Sequence, residues 1–313
     1  MNNRPNYFSL YDFDRLTEDR IKSEKIKKIL ESSDSLIIPV CGLKNLISLN
    51  PKTKAVFFRY ADIKKFIDSD LIFLGRDREN FYFTVDVYEE NNFIKNDSYK
   101  FDDLRKVASV LDQKEAAVLA YAKSMIYWKG RVKFCGKCGS PTILEEGGHK
   151  AFCPECKSNF FPHIDPAIIV IVTNQEKCLL ARQPIWPPKR YSVIAGFVEP
   201  GESLENAVSR EVLEETGIKV ENISYHSSQH WPFPGSIMIG FNAEARTTEI
   251  ILRDKELEDA KWFTREEIQE KVKSKELKLS TEISISFRLI EDWFNSGSQT
   301  PLCELVHVSD KNF

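Results

Sequence analysis

Short apolar runs and charged positions alternate over the first 128 residues, the pattern breaks, and a longer and more strongly patterned stretch follows. SLIIPV (35–40), KAVFFRY (54–60), LIFLG (71–75) and FYFTVDVY (81–88) predict strands. Apolar positions at helical spacing predict amphipathic helices around Ile21 to Leu30 and from Leu104 to Tyr127. Residues 1–128 therefore read as an N-terminal α/β domain with no chemical motif of its own. In the later stretch, AIIVIVT (167–173) has the unbroken apolar character of a strand buried on both faces, and KCLLARQ and YSVIAGF follow it as further strands. The turn PGES leads into a helix that Ser203 caps, that starts at Leu204 and that Gly217 stops. Strands at SIMIGFNAEAR and EDAKWF, then helices near Arg265 to Lys273 and Thr281 to Phe294, complete residues 163–313 as a second domain of an α+β protein.

Residues 129–162, rich in glycine and cysteine, are too few to build a hydrophobic core, so this middle domain needs a staple. Cys135, Cys138, Cys153 and Cys156 form two C-x-x-C pairs at the spacing of a tetrahedral zinc ribbon, with no position left for water. Such a closed site is structural. Two disulfides are the alternative, and Gly136 and Gly139 at the knuckles favour metal. Cys41, Cys178 and Cys303 stand alone as core or surface thiols.

The helix after PGES carries the chemistry. At about 100° per residue, Leu204, Ala207, Val208, Glu211 and Glu215 share one stripe, which begins apolar and ends in carboxylates. Like charges at i,i+4 repel, and more so when partly buried, so a cation must compensate. Oxygen donors on a rigid turn suit a hard divalent ion, Mg²⁺ or Mn²⁺, that completes its shell with water and substrate phosphates. Glu211 and Glu215 are the expected ligands, while Glu214, offset around the helix, is ligand or general base. Arg210 is expected to pair with Glu202 or Glu214 and hold it oriented. A solvated acidic face is the plainer alternative.

The spacing G-x5-E-x7-R-E-V-x-E-E-x-G-I, carried by Gly196, Glu202, Arg210, Glu211, Val212, Glu214, Glu215, Gly217 and Ile218, matches the Nudix box at every defined position. Downstream, SQHWPFPGS (228–236) is similar to the SQPWPFPxS signature of the NADH pyrophosphatase (NAD-capped RNA hydrolase) branch of the Nudix hydrolases, departing at His230. Together with the cysteine quartet the resemblance spans roughly residues 100 to 295. It implies a Nudix α/β/α sandwich, a homodimer, one structural Zn²⁺ and two or more catalytic Mg²⁺ or Mn²⁺ ions. It also implies cleavage of NADH or NAD⁺ into (reduced) nicotinamide mononucleotide and AMP, or removal of NAD caps from RNA. By position it assigns substrate contacts to Phe161, Phe197, Gln229, His230, Trp231, Pro232, Phe233, Pro234, Gly235, Ser236 and Ser286. It further assigns catalytic-metal ligation to the Ala195 carbonyl and Glu256 beside the box glutamates. Arg105 is a candidate phosphate contact. Phe161 stands where a relative uses a tyrosine, which costs one hydrogen bond of about 0.5–1.5 kcal/mol.

Composition narrows the function classes little. With 44 basic and 47 acidic residues and a net charge of −3, the 313-residue chain has no global polyanion-binding character, which leaves local patches. The charged N-terminus lacks a secretory h-region and no segment has the apolar length of a membrane span, so a cytoplasmic enzyme is expected. The terminal DKNF is not the S-K-L address, leaving a weaker peroxisomal variant open. A catalytically inactive module that binds through its ribbon is the competing class.

Overall fold

The apolar run 165–174 is the axis of one half of the protein. Of the chain, the computed structural model describes residues 4–67, 70–88, 90, 98–253 and 255–310. Strand Asp165–Asn174 pairs in parallel with Ser236–Ala245 from Asp165 opposite Ser236 to Thr173 opposite Glu244, and antiparallel with Lys177–Arg182 and Ile194–Phe197. Strand Val220–Trp231 lies beyond Ser236–Ala245, and Asp259–Thr264 beyond Lys177–Arg182.

Alternation along the axis strand builds two cores. Ile168, Val170 and Val172 point to Ala207, Val208 and Val212 of helix Leu204–Thr216. Ile169 and Ile171 point to Ile268 and Val272 of helix Arg265–Lys273 and to Phe287, Ile290 and Phe294 of helix Ile285–Asn295. The result is the α/β/α sandwich expected from a strand apolar on both faces. Helix Leu204–Thr216 starts where the Ser203 hydroxyl accepts the Asn206 N–H at 3.2 Å, and ends at Gly217 with φ 74°.

Several elements differ from expectation. The last long helix begins at Ile285 rather than Thr281, because the Ser284 hydroxyl accepts the Ser286 N–H and the Gln229 amide oxygen accepts the Ile285 N–H. Strand Val220–Trp231 was not anticipated, since only Gln229 of its 12 residues is buried and no apolar alternation marks it.

In the other half, parallel strands Ser35–Cys41 and Phe81–Asp86 are flanked by Lys44–Ser48 and Ile72–Arg76, over a core of Ile37, Leu46, Phe73, Phe83 and Val85. The expected helix from Leu104 to Tyr127 is two, Leu104–Val107 and Gln113–Arg131, because the Asp112 carboxylate accepts from the N–H groups of Lys114 and Glu115 and starts a new helix. KAVFFRY contributes only a two-residue strand, Lys54–Ala55, a bridge from Phe58 to Ile37 and the start of helix Tyr60–Ile63. The ribbon strands Ile143–Glu145, Lys150–Phe152 and Asn159–Phe160 form a sheet of their own.

The chain divides into two compact units, one of 1–7, 165–230 and 236–313, the other of 8–164 and 231–235. No helix among the described residues is long and apolar enough to cross a membrane.

Within the second unit the ribbon is seated on strand Ile72–Arg76. A Cβ on Gly148 would come within 2.8 Å of Ile72, and His149 Nε2–H donates to the Phe73 carbonyl at 2.6 Å. Burial pushes the His149 imidazole down to about 4, although the Phe73 carbonyl favours its charged form. The unfolded imidazole protonates near pH 6.5, so between about 6.5 and 4 the unfolded chain holds more protons and acidification removes stability. Chemical denaturation at stepped pH is expected to show this loss, and His149→Asn to flatten it across that window relative to the unsubstituted protein.

Candidate active site

Arg210 sits at the centre of the acidic turn. Its Nε and Nη2 donate to both oxygens of Glu202 at 3.0 and 2.7 Å, and Nη1 donates to Glu211 and to Glu214 at 3.0 Å each. Nη2 also donates to the Phe197 carbonyl at 2.9 Å, tying the helix to the strand that precedes the PGES turn. The bidentate fork holds the Glu202 carboxyl down to about 2, with the Glu199 N–H adding a third hydrogen bond. Sequence spacing anticipated the partners Glu202 and Glu214; the links to Glu211 and Phe197 lay outside it.

Glu211 is held against backbone. A Cβ on Gly196 would stand 2.0 Å from the Glu211 carboxyl carbon, so that carboxylate occupies space open only because residue 196 has no side chain. Strand register sets Ala195 opposite Ile169 and Gly196 opposite Ile168, which puts the Ala195 carbonyl one residue from the carboxylate cradle. Burial raises the Glu211 carboxyl above the ordinary carboxylate range despite Arg210, and the charges of Glu214 and Glu256 push the same way. Glu215, on the same stripe, is 4% exposed, whereas Glu214 and Glu256 are exposed. A desolvated carboxylate beside further carboxylates is the donor set that a hard divalent cation neutralises, so the residues present fit Mg²⁺ or Mn²⁺.

The ribbon cysteines converge more closely. Their four sulfurs all lie within 4.8 Å of one another, with Cys135 to Cys156 at 3.4 Å and Cys138 to Cys153 at 3.5 Å. Zn–S bonds of about 2.3 Å at tetrahedral angles separate sulfurs by roughly 3.8 Å, so this cage fits zinc. Among the described residues it is the one group of three or more side chains whose ligand atoms meet in this way.

The NUDIX domain family matches residues 163–282, the NADH pyrophosphatase zinc ribbon domain 131–161, and the NADH pyrophosphatase-like rudimentary NUDIX domain 35–128. The human NAD-capped RNA hydrolase NUDT12 is 34% identical over 92% of this chain and 73% of its own length. The chain belongs to the NADH pyrophosphatase family of Nudix hydrolases. Other relatives are the NAD-capped RNA hydrolase NudC of Stutzerimonas stutzeri, 42% identical over 52% of this chain and 59% of its own, and human mitochondrial NAD(P)H pyrophosphatase NUDT13, 37% identical over 62% and 59%. A NUDIX hydrolase structure from Nitrosomonas europaea aligns with 43% of the chain and 79% of its own at 26% identity and a TM-score of 0.38.

The residues that the Nudix resemblance assigns to substrate belong to both units. Phe197 and Phe161 are exposed at 60% and 58%. Gln229 is buried, donating to the carbonyls of Ile283 at 2.7 Å and Tyr7 at 3.2 Å while its oxygen takes the Ile285 N–H. Ser236 and Ser286 are also buried, and the Ser286 hydroxyl lies 2.7 Å from that of Ser192. Trp231 to Gly235 form the turn after the unanticipated strand and group with the second unit. There Trp231 and Phe233 meet edge to face at 4.9 Å, and Phe8 packs on both. Gly235 leaves room for Tyr127, and Pro232 is buried while Pro234 is exposed. His230 is half-buried at the strand end.

Two cations meet the Phe233 ring, Arg105 with Cζ 4.5 Å and Lys123 with Nζ 4.4 Å from its centroid, and Arg105 also lies 5.8 Å from Trp231. Burial lowers the pKa of Lys123 against the pull of Asp103, 4.0 Å away. Sequence reasoning missed Lys123, Phe8 and the Ser192 hydroxyl. Lys123 had a signal: it falls at helical spacing from the buried Ala116 and Ala120, where a lysine needs a partner.

Gly196→Ala is expected to lower hydrolytic turnover on the order of 10²-fold by displacing the Glu211 carboxylate, with a much smaller effect on the melting temperature. Cys135→Ser is expected to lower the melting temperature and the zinc content together, because a closed thiolate site contributes folding energy. An unchanged melt in a demonstrably zinc-free protein would contradict that role.

Proposed function

We propose that this Nudix hydrolase cleaves the diphosphate of NADH or NAD⁺, giving (reduced) nicotinamide mononucleotide and AMP. The observation that carries the reading is the complete carboxylate turn, held by Arg210 and cradled by Gly196, in a chain that also has the ribbon and the SQHWPFPGS turn. In the reaction a water oxygen bonds to one phosphorus, the bond from that phosphorus to the bridging oxygen breaks, and the second mononucleotide leaves on the bridging oxygen.

Glu211, Glu215, Glu256 and the Ala195 carbonyl would hold Mg²⁺ or Mn²⁺, with Glu214 as a further ligand or as the base that takes the water proton. Ions held there would neutralise charge on the phosphoryl oxygens and lower the pKa of water. Arg210 keeps Glu202, Glu211 and Glu214 oriented. Phe197 offers an exposed ring for stacking, with Phe161 and the aromatic turn as further candidate contacts. We carry a homodimer and a cytoplasmic location as part of this reading.

A second reading makes NAD-capped RNA the physiological substrate, favoured by the similarity to NUDT12 over 92% of the chain. The same bond is cut, and only the 3′ extension of the adenylate differs. The inactive ribbon-binding alternative is opposed by the intact glutamates.

AMP release from NADH with Mg²⁺ or Mn²⁺ is the expected outcome, and its absence with both ions would overturn the proposal. Glu215→Gln is expected to lower kcat on the order of 10³-fold while preserving the thermal melt. A preference of at least about tenfold in kcat/KM for NADH over capped RNA, about 1.4 kcal/mol, would count against decapping.

A further inference from the structure

The aromatic turn is held by a stretch of chain far from it in sequence. Residues Arg4 to Phe8 are paired with residues 227–233 in the same order, each contact being made inside one compact unit. In the first unit the Asn6 side-chain amide donates to the Ser228 carbonyl at 2.7 Å and to the Ser227 hydroxyl at 3.1 Å, and the Gln229 amide donates to the Tyr7 carbonyl at 3.2 Å. Arg288 Nη1 donates to the Asn6 amide oxygen at 3.0 Å and to the Arg4 carbonyl, while Arg4 pairs with Glu291 at 3.4 Å. Asn6 is buried, with donor and acceptor ends both engaged, so its orientation is fixed. In the second unit the Phe8 ring stands edge on to Trp231 at 6.2 Å and to Phe233 at 5.8 Å between centroids.

Phe8 is the strained member of this stretch. It is 2% exposed, and its φ of 65° is left-handed, which a bulky L residue adopts only where its surroundings over-determine it. Strain of that kind gathers where the placement of a side chain serves a site, and the rings that Phe8 meets are those of the turn.

The turn itself has little freedom on its other sides. Pro232 and Gly235 are buried, and a Cβ on Gly235 would stand 3.0 Å from the Tyr127 ring. Trp231 and Phe233 are each half-buried, so part of each ring is covered by such contacts and part stays open to a flat ligand. The direction in which the open parts face follows from where Phe8 stands.

We propose that Phe8 is a positioning residue for substrate: anchored through Asn6 and Tyr7, it sets the open faces of Trp231 and Phe233 against one base of a nicotinamide dinucleotide. The assignment rests on the proposed function, in which this turn contacts substrate, and Phe8 acts only through the turn. Its loss weakens ground state and transition state alike, which raises KM and spares kcat.

The test uses the full-length, zinc-loaded protein with NADH and Mg²⁺ or Mn²⁺. Phe8→Leu keeps apolar bulk and removes both edge-to-face contacts, so KM for NADH is expected to rise about 3–10-fold while kcat stays within about twofold. Inhibition by one product, AMP or reduced nicotinamide mononucleotide, should weaken by a similar factor and so name the base that the turn takes. Asn6→Ala removes hydrogen bonds outside the aromatic cluster and is expected to raise KM about 2–10-fold, which carries the test if Phe8→Leu does not fold. A lowered melting temperature with KM and both product inhibition constants unchanged in the folded variants would overturn the proposal and leave Phe8 as packing alone. A fall in kcat at constant KM would overturn it as well. Failure of the unsubstituted protein to release AMP from NADH would instead overturn the underlying reading.

Discussion

Everything at the acidic turn depends on one guanidinium. Glu202, Glu211 and Glu214 place three carboxylates around Arg210, and only a planar cation with a fork of donors serves all three together with the Phe197 carbonyl. A lysine would neutralise charge equally well without fixing direction. Because the contacts bind the helix to the strand before the PGES turn, the same residue that orders the carboxylates also sets their height above the sheet. Glu211 shows the tension that remains: Arg210 lowers its pKa, yet burial and the neighbouring charges raise it overall. A hard divalent cation, as proposed for this site, would relieve that conflict.

The sandwich exists to hold this arrangement still. The strand Asp165–Asn174 is bonded on both edges, and its alternate side chains enter separate cores, one under the acidic helix and one under the two later helices. Neither strand nor helix can shift by a residue without exchanging buried and exposed faces. Gly196 lies opposite Ile168 within that register, so the space that admits Glu211 is fixed by the core rather than by the loop beside it.

What the sequence made legible was what local chemistry decides. The axis strand, the Ser203 cap, the Gly217 stop and the cysteine quartet each carry their reason in a few adjacent residues. The resemblance read from the box and the aromatic turn was likewise right about the family. Elements decided by distant partners were not legible. Val220–Trp231 is a strand because Ser236–Ala245 offers it a ladder, with no apolar period to announce it, and the break before Gln113 rests on one aspartate outcompeting a pattern that runs on. The cradle at Gly196 belongs to the same class: the motif names the glycine, but only the fold shows that a glutamate 15 residues later fills its missing side chain.

The aromatic turn shows how a signature read as ligand chemistry also does structural work. Lys123 is buried on a helix whose buried face is rich in alanine, and a buried ammonium is costly unless something takes up its charge. Asp103 lies 4.0 Å away and the Phe233 ring centroid 4.4 Å, with Arg105 on the same ring, so the π-face compensates where a second carboxylate is lacking. A leucine at 233 would fill similar volume and leave Lys123 with the aspartate alone. Phe233 is therefore constrained by electrostatics inside its own unit before any substrate arrives. That constraint explains why prolines flank the ring: a ring committed to two cations must arrive at one place, and a stiff turn brings it there at small entropic cost.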